Sequence, residues 1–207
     1  MNTPLDMLSD GALCERAATE LPYVTTAFEA LVRRHQSNLF RFCRRMLRDP
    51  DRAEDATQDT LIRAYHALSH FEGRADFKTW LFTIARNVCL TRIKRAAVES
   101  QLRESHVRDQ ELARRVEPSS ACAPDMDELL ASMTVEDREI LSLRFIAGLS
   151  LQEIADSHAL TLTAAKMRLY RAIGQLRRWR AIRISNSEVR ADRTAPRVLP
   201  RPIPLPG

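Results

Sequence analysis

Three groups of side chains have the types and spacing to do chemistry on a charged polymer or on a protein surface. The first is Lys166, Met167, Arg168, Tyr170 and Arg171. At 100° per residue Met167, Tyr170 and Arg171 fall on one side of a helix with Gly174 and Arg178, flanked by Lys166 and Arg168. Ala165, Leu169, Ala172, Ile173 and Leu176 make an apolar stripe opposite. Guanidinium, ammonium and phenol groups on an exposed helix can bond guanine edges and phosphates in a major groove. The second group mixes aromatics, cations and an amide: Phe71, Arg74, Phe77, Lys78, Trp80, Arg86, Asn87, Arg92, Lys94 and Arg95. Unpaired bases need stacking surfaces and edge hydrogen bonds, which this mixture offers. Phe77, Trp80, Leu81, Ile84 and Val88 are at core spacing, however, so the loop Phe71 to Asp76 with Asn87 is left to hold a base. The third group, Asp51, Asp55, Gln58 and Asp59, forms an acidic helix face. It repels phosphate, so it serves either solubility or a basic protein partner, and the residues alone leave both open.

Other chemistries lack their residues. His35, His66, His70, His106 and His158 stand in no HExxH or paired-carboxylate setting, and the serines sit in caps rather than in GxSxG, so no catalytic residue is assigned. The five glycines permit neither GxGxxG nor GxxxxGK[ST]. Cys14, Cys43, Cys89 and Cys122 never form CxxC, so no metal or cofactor is expected and the thiols are read as reduced and packed. No apolar run approaches membrane-spanning length, and the N-terminus lacks a secretory pattern, which points to a cytoplasmic protein without membrane insertion.

Helices must position all three groups, because apolar residues recur at three- and four-residue steps and no alternating β-branched run appears. The fold class is all-α, with two small helical domains, a helical bundle and a helix-turn-helix, joined by a flexible linker. Ser9 opens a first helix to about Ala18. A second carries Phe28, Leu31, Val32, Leu39, Phe40, Cys43 and Leu47 and stops in a turn at Asp49-Pro50. A third runs from about Arg52 to Leu68 and a fourth from about Phe77 to Arg95. Glu117 to Pro124 is a linker by composition. In the second domain Thr134 caps a helix that ends at Gly148, Ser150-Leu151-Gln152-Glu153 is a capping box, and Thr161 caps a long helix Leu162 to Arg180. The boundaries so read are 9–95, 96–125 for the linker, 126–180, and 181–207 for a disordered tail. Half of the ten prolines lie in its last thirteen residues.

Charge follows this division. Residues 28–95 hold 14 bases and 8 acids and residues 128–180 hold 8 and 6, whereas residues 96–127 hold 4 and 7. Two basic modules around an acidic connector suit two contacts with nucleic acid.

Two motif blocks then carry a resemblance. Ala53-Glu54-Asp55-Ala56-Thr57-Gln58-Asp59-Thr60-Leu61-Ile62-Arg63-Ala64, followed by Phe71 and by Phe77-Lys78-Thr79-Trp80-Leu81-Phe82-Thr83-Ile84-Ala85-Arg86-Asn87, resembles region 2 of extracytoplasmic-function (ECF) sigma factors. Leu143 to Ala155 and Ala164 to Ala172 resemble their region 4. The resemblance implies a protein that binds core RNA polymerase and directs it to promoters. It implies that Asp55, Gln58 and Asp59 grip the β′ clamp helices. Phe71, Arg74, Asp76, Lys78, Arg86 and Asn87 would contact the −10 element, and Lys166, Met167, Arg168, Tyr170 and Arg171 the −35 element. The segment between the domains would occupy the RNA exit path, and an anti-sigma factor would be a further partner, able to hold the chain at a membrane. Ala159 stands where the turn usually has glycine, Thr91 where many members have an acid or amide, and Ala164-Ala165 where Thr-Val is common. A dimeric helix-turn-helix regulator would account for residues 126–180 but gives Asp55, Gln58, Asp59 and Trp80 no task. A redox-sensing interaction protein would use the cysteines.

Overall fold

The computed structural model describes residues 5–107 and 129–194, with side chains placed for 5–101 and 129–181. The Glu117 to Pro124 linker, Cys122 and the tail from residue 195 lie outside the described residues. The principal helices are α1 (Asp10–Glu20), α2 (Thr26–Leu47), α3 (Pro50–Ala67), α4 (Phe77–Val107), α5 (Val135–Phe145), α6 (Leu151–Ser157) and α7 (Leu162–Thr194), and no strand occurs among the described residues.

Local chemistry sets most boundaries. The side chains of Ser9, Asp49, Thr134, Ser150 and Thr161 each accept a backbone N–H in the first turn of the helix that follows. Pro50 is the first residue of α3 instead of part of the turn before it, because proline at that position gives up only an N–H that the helix would leave unpaired anyway. The chain reverses one residue pair earlier, at Arg48, which takes φ 62° after α2. Two helices overrun the boundaries expected from sequence. α4 continues past Arg95 to Val107 and α7 past Arg180 to Thr194, since neither stretch contains glycine or proline and the next proline after α7 is Pro196. The segment 181–194, expected to be disordered, is therefore helical.

α1 to α4 pack around Leu13, Leu31, Leu39, Phe42, Met46, Leu81 and Phe82, all essentially solvent-free. Phe42 and Phe82 meet edge to face with ring centroids 5.5 Å apart. Burying each such side chain contributes roughly 1.5–3 kcal/mol. The buried line of α2 runs through Phe28, Leu31, Leu39, Phe42, Cys43 and Met46, so Phe40, expected inside, is exposed. In the second half Leu143, Leu149, Ile154, Ala165 and Ala172 form the centre. The halves touch: α2 packs on α5 and α4 on α6.

α1 is fastened to α2 by Asp10, whose carboxylate accepts from Arg34 at 2.8 Å and faces His35 Nε2 at 2.7 Å. Burial pushes the Asp10 carboxyl up, but the hydrogen bonds from Arg34 and His35 outweigh it and hold it below the usual carboxylate range. Its contribution to stability is thus complete above the ordinary carboxylate value and is lost as pH falls through the lowered one. Asp10→Asn should cost about 1–2 kcal/mol at neutral pH. In thermal melts followed by circular dichroism, the gap to the unmodified chain should close in acid.

Candidate nucleic-acid interface

The helix-turn-helix is α6, the turn His158 to Thr161, and α7. At the start of α6, Ser150 Oγ accepts from Glu153 N–H at 3.1 Å while the Glu153 carboxylate accepts from Ser150 N–H at 2.7 Å, closing the expected capping box. Gly148 before it takes φ +68°, a conformation that strains any residue with a Cβ. Ala159 in the turn takes φ 51° and has no such freedom. The left-handed region costs an L-residue roughly 1–2 kcal/mol, and glycine adds back roughly 0.4–1 kcal/mol of unfolded-chain entropy. Ala159→Gly should therefore stabilise the protein by about 0.5–1 kcal/mol, read as a higher urea midpoint at unchanged m-value.

α7 presents the face its periodicity predicts. Ala165, Leu169 and Ala172 are buried, Lys166 and Arg171 are exposed, and Met167 and Tyr170 stand about two-thirds exposed. Arg168 is half-buried. Arg171 also donates to Asp137 at 3.3 Å, and Gln175 donates to the same carboxylate at 2.8 Å. Asp137, on α5 and fully buried, fixes α7 against α5. Sequence spacing had no means of pairing residues so far apart.

In the loop before α4, Phe71 packs on Trp80 with ring centroids 4.9 Å apart and ring planes tilted by 46°, and it meets Phe77 edge to face. Arg74 is exposed and paired with Glu72 at 2.5 Å, and Asp76 is exposed at the loop end. Asn87 is exposed, its Oδ1 accepting from Arg86 at 3.4 Å. It lies two turns of α4 beyond Trp80, about 10 Å along the axis. The loop and Asn87 thus share a helix face without forming one tight pocket. Arg92 turns elsewhere: it donates to the Asp55 carbonyl at 3.3 Å and lies 3.8 and 3.7 Å from the Asp55 and Asp59 carboxylates.

The loop instead opens on a groove of about 540 Å³ whose far wall is Glu153, Asp156 and Ser157 of α6. Polar bonds cross from α4 to the second half. Lys78 donates to the Gly148 carbonyl at 3.3 Å, Thr79 Oγ1 donates to Glu153, and Arg86 donates to Glu139. Glu139 is buried and also faces His158 Nε2. Burial pushes its carboxyl up, yet the His158 and Arg86 hydrogen bonds bring it below the usual range. In this arrangement Lys78 and Arg86, expected to meet nucleic acid, each donate one hydrogen bond to the second half of the chain.

The acidic face of α3 is exposed at Asp51, Asp55 and Gln58, while Asp59 is partly covered and accepts from Arg63 at 2.8 Å. Ile62, which follows Asp55 by seven residues and so shares its face, is 58% exposed. An isoleucine open to solvent at the end of the acidic face adds an apolar contact to a charged surface, which solubility alone does not require. The i, i+3, i+4, i+7 spacing of Asp55, Gln58, Asp59 and Ile62 carried that signal in the sequence.

Residues 31–98 match Sigma-70 region 2 and residues 125–176 match Sigma-70, region 4. The chain is 28% identical over 179 residues to the ECF RNA polymerase sigma factor SigX of Bacillus subtilis, covering 80% of this chain and 91% of that one. It is 30% identical over 158 residues to the RNA polymerase sigma-H factor of Pseudomonas aeruginosa, covering 70% and 82%. It is 32% identical over 134 residues to the ECF sigma factor SigC of Mycobacterium tuberculosis, covering 62% and 70%. Among solved structures, CnrH in complex with the cytosolic domain of CnrY aligns with TM-score 0.61 and 26% identity over 85% of this chain and 97% of that one. The sigma factor RpoE of Bartonella quintana, solved with the anti-sigma factor NepR, shares the fold with TM-score 0.63 at 24% identity, over 77% and 99%.

Proposed function

The chain belongs to the extracytoplasmic-function RNA polymerase sigma factors, and from that membership we propose how its helices divide the work of starting transcription. As a sigma factor it binds core RNA polymerase, recognises promoters and initiates transcription. Region 2 acts through residues 9–95 and region 4 through residues 126–180, with 96–125 connecting them. The exposed α3 face, Asp55, Gln58 and Asp59 together with Ile62, binds the β′ clamp helices. The loop residues Phe71, Arg74 and Asp76, with Lys78, Arg86 and Asn87 on α4, take the −10 element once its strands separate. Lys166, Met167, Arg168, Tyr170 and Arg171 on α7 read the −35 element as intact duplex. The observation that carries this division is the recognition helix, whose cationic and aromatic face is exposed while its apolar face is buried on α5 and α6.

An anti-sigma factor is a further partner, a reading supported by the likeness to CnrH, itself solved with the cytosolic domain of CnrY. Among the described residues no helix is long and apolar enough to cross a membrane. The site of action is the cytoplasm, where polymerase and promoter are. Gel filtration tests the reading: the chain should co-elute with core polymerase and retain a promoter fragment only in that complex. A dimeric regulator would retain duplex DNA unaided.

A further inference from the structure

We propose that a crevice between α2 and α5 is a binding site for a small organic carboxylate with a short hydrocarbon body, its head held by Arg41, Arg45 and Arg138. The crevice has a volume of about 180 Å³ and uses none of the residues assigned above to polymerase or to DNA. Arg138 of α5 lines it, is 8% exposed, and has a buried Nε without a hydrogen-bond partner. Among the described residues no carboxylate pairs with any of the three arginines, and Arg41 has only a 3.4 Å bond to Asn38. Arg48 adds to the positive field at Arg138, and Glu136 offsets part of it. Taking a guanidinium out of water with neither a counter-charge nor a full set of hydrogen bonds costs free energy. An anion entering the crevice supplies the missing counter-charge.

The lining sets the chemistry of the rest of the ligand. Leu130, Met133, Leu141, Ile146 and Leu176 make the remaining wall apolar, with Phe145, 65% exposed, on its solvent side. Inorganic phosphate would meet the arginines and leave that wall wet. A nucleic-acid backbone cannot follow a side chain so deeply enclosed. At about 30 Å³ for each water-sized group the space takes about six, too few for a nucleotide. A planar carboxylate accepts two bonds at once from a guanidinium fork, and about five carbon atoms fill the rest. Hexanoate has this composition.

Isothermal titration calorimetry of the full chain with sodium hexanoate tests this beside three comparison probes. Acetate lacks the body, 1-hexanol lacks the charge, and inorganic phosphate has charge alone. Hexanoate should bind one to one at about 1 mM or tighter, and each comparison probe at least about tenfold more weakly, since each forfeits one of the two contributions. Hexanoate should also raise the thermal midpoint, as a ligand of the folded form must. Arg138→Met separates a ligand site from a structural arginine. Without ligand this variant should melt higher than the unmodified chain, because an unpartnered buried charge is gone, while its hexanoate affinity falls at least about tenfold. Arg45→Gln, which has no ion pair to lose, should keep the unliganded midpoint and weaken hexanoate by about threefold or more. A lower unliganded midpoint for Arg138→Met would show that Arg138 serves packing and would overturn the proposal. Phosphate binding as tightly as hexanoate would overturn it too, as the mark of an unspecific cationic patch. So would hexanoate binding that neither variant weakens, or the absence of both heat and midpoint shift at about 10 mM hexanoate.

Discussion

A chain carrying Asp55→Lys and Asp59→Lys is expected to lose core polymerase binding by more than about a hundredfold. Each reversal replaces an attractive contact with a basic partner surface by a repulsive one, and like-charge juxtaposition at an interface costs several kcal/mol. The fold should survive. Asp55 is largely solvated, and surface substitutions usually move stability by less than about 0.5 kcal/mol. Asp59 carries a little more, because it accepts from Arg63 and lies near Arg92, so the double variant should be destabilised by about 1 kcal/mol. Ile62→Ala provides the uncharged counterpart: its side chain is exposed, so stability should hold while core binding weakens about tenfold. Surface-immobilised core polymerase with each variant in solution gives the affinities, and chemical denaturation gives the stabilities. Undiminished binding by the double variant would remove α3 as the docking face.

The second large effect separates the two DNA surfaces by the kind of DNA each meets. Asn87→Ala should weaken transcription from duplex promoters and should not be rescued by a template whose −10 region is already unpaired, because the missing contact is with the exposed base. Lys166→Ala should cost about 1–3 kcal/mol on duplex −35 DNA if Lys166 reads a base edge, or flatten the salt dependence if it meets a phosphate. It should leave −10 single-strand binding by the polymerase complex intact. Lys166 is the cleaner probe of α7. Arg171 is tied to buried Asp137, so its removal also leaves part of a buried carboxylate unpaired and mixes a packing cost with any lost DNA contact. Loss of single-strand binding by Lys166→Ala would contradict the division.

What could be read in advance was what neighbours in sequence decide. Ser9, Thr134, Ser150 and Thr161 cap helices because a side-chain oxygen reaches an N–H within the next turn, which depends on nothing distant. The face of α7 follows from the 3.6-residue period. On α2 the same reasoning placed Phe40 inside and passed over Phe42, since neighbouring aromatics two residues apart compete for one stripe and the partner, Phe82, decides. α4 and α7 run past their apolar patterns because loss of the pattern does not end a helix by itself and neither extension contains glycine or proline. Arg86 was read as a DNA-facing cation. Its engagement by Glu139, fifty-three positions away, depends on how the two halves meet, and no local pattern encodes that. Ile62 was legible by its spacing from Asp55 but only its exposure gives the spacing meaning.

The most direct measurement of the central claim is in vitro transcription with purified core RNA polymerase on fragmented genomic DNA, reading the 5′ ends of the products with and without this chain. The account predicts discrete start sites that appear only when the chain is added, each preceded by the same pair of spaced sequence elements, with the downstream element still required in sequence when it is supplied unpaired. Absence of any chain-dependent start site, together with tight binding of the chain alone to duplex DNA, would contradict it.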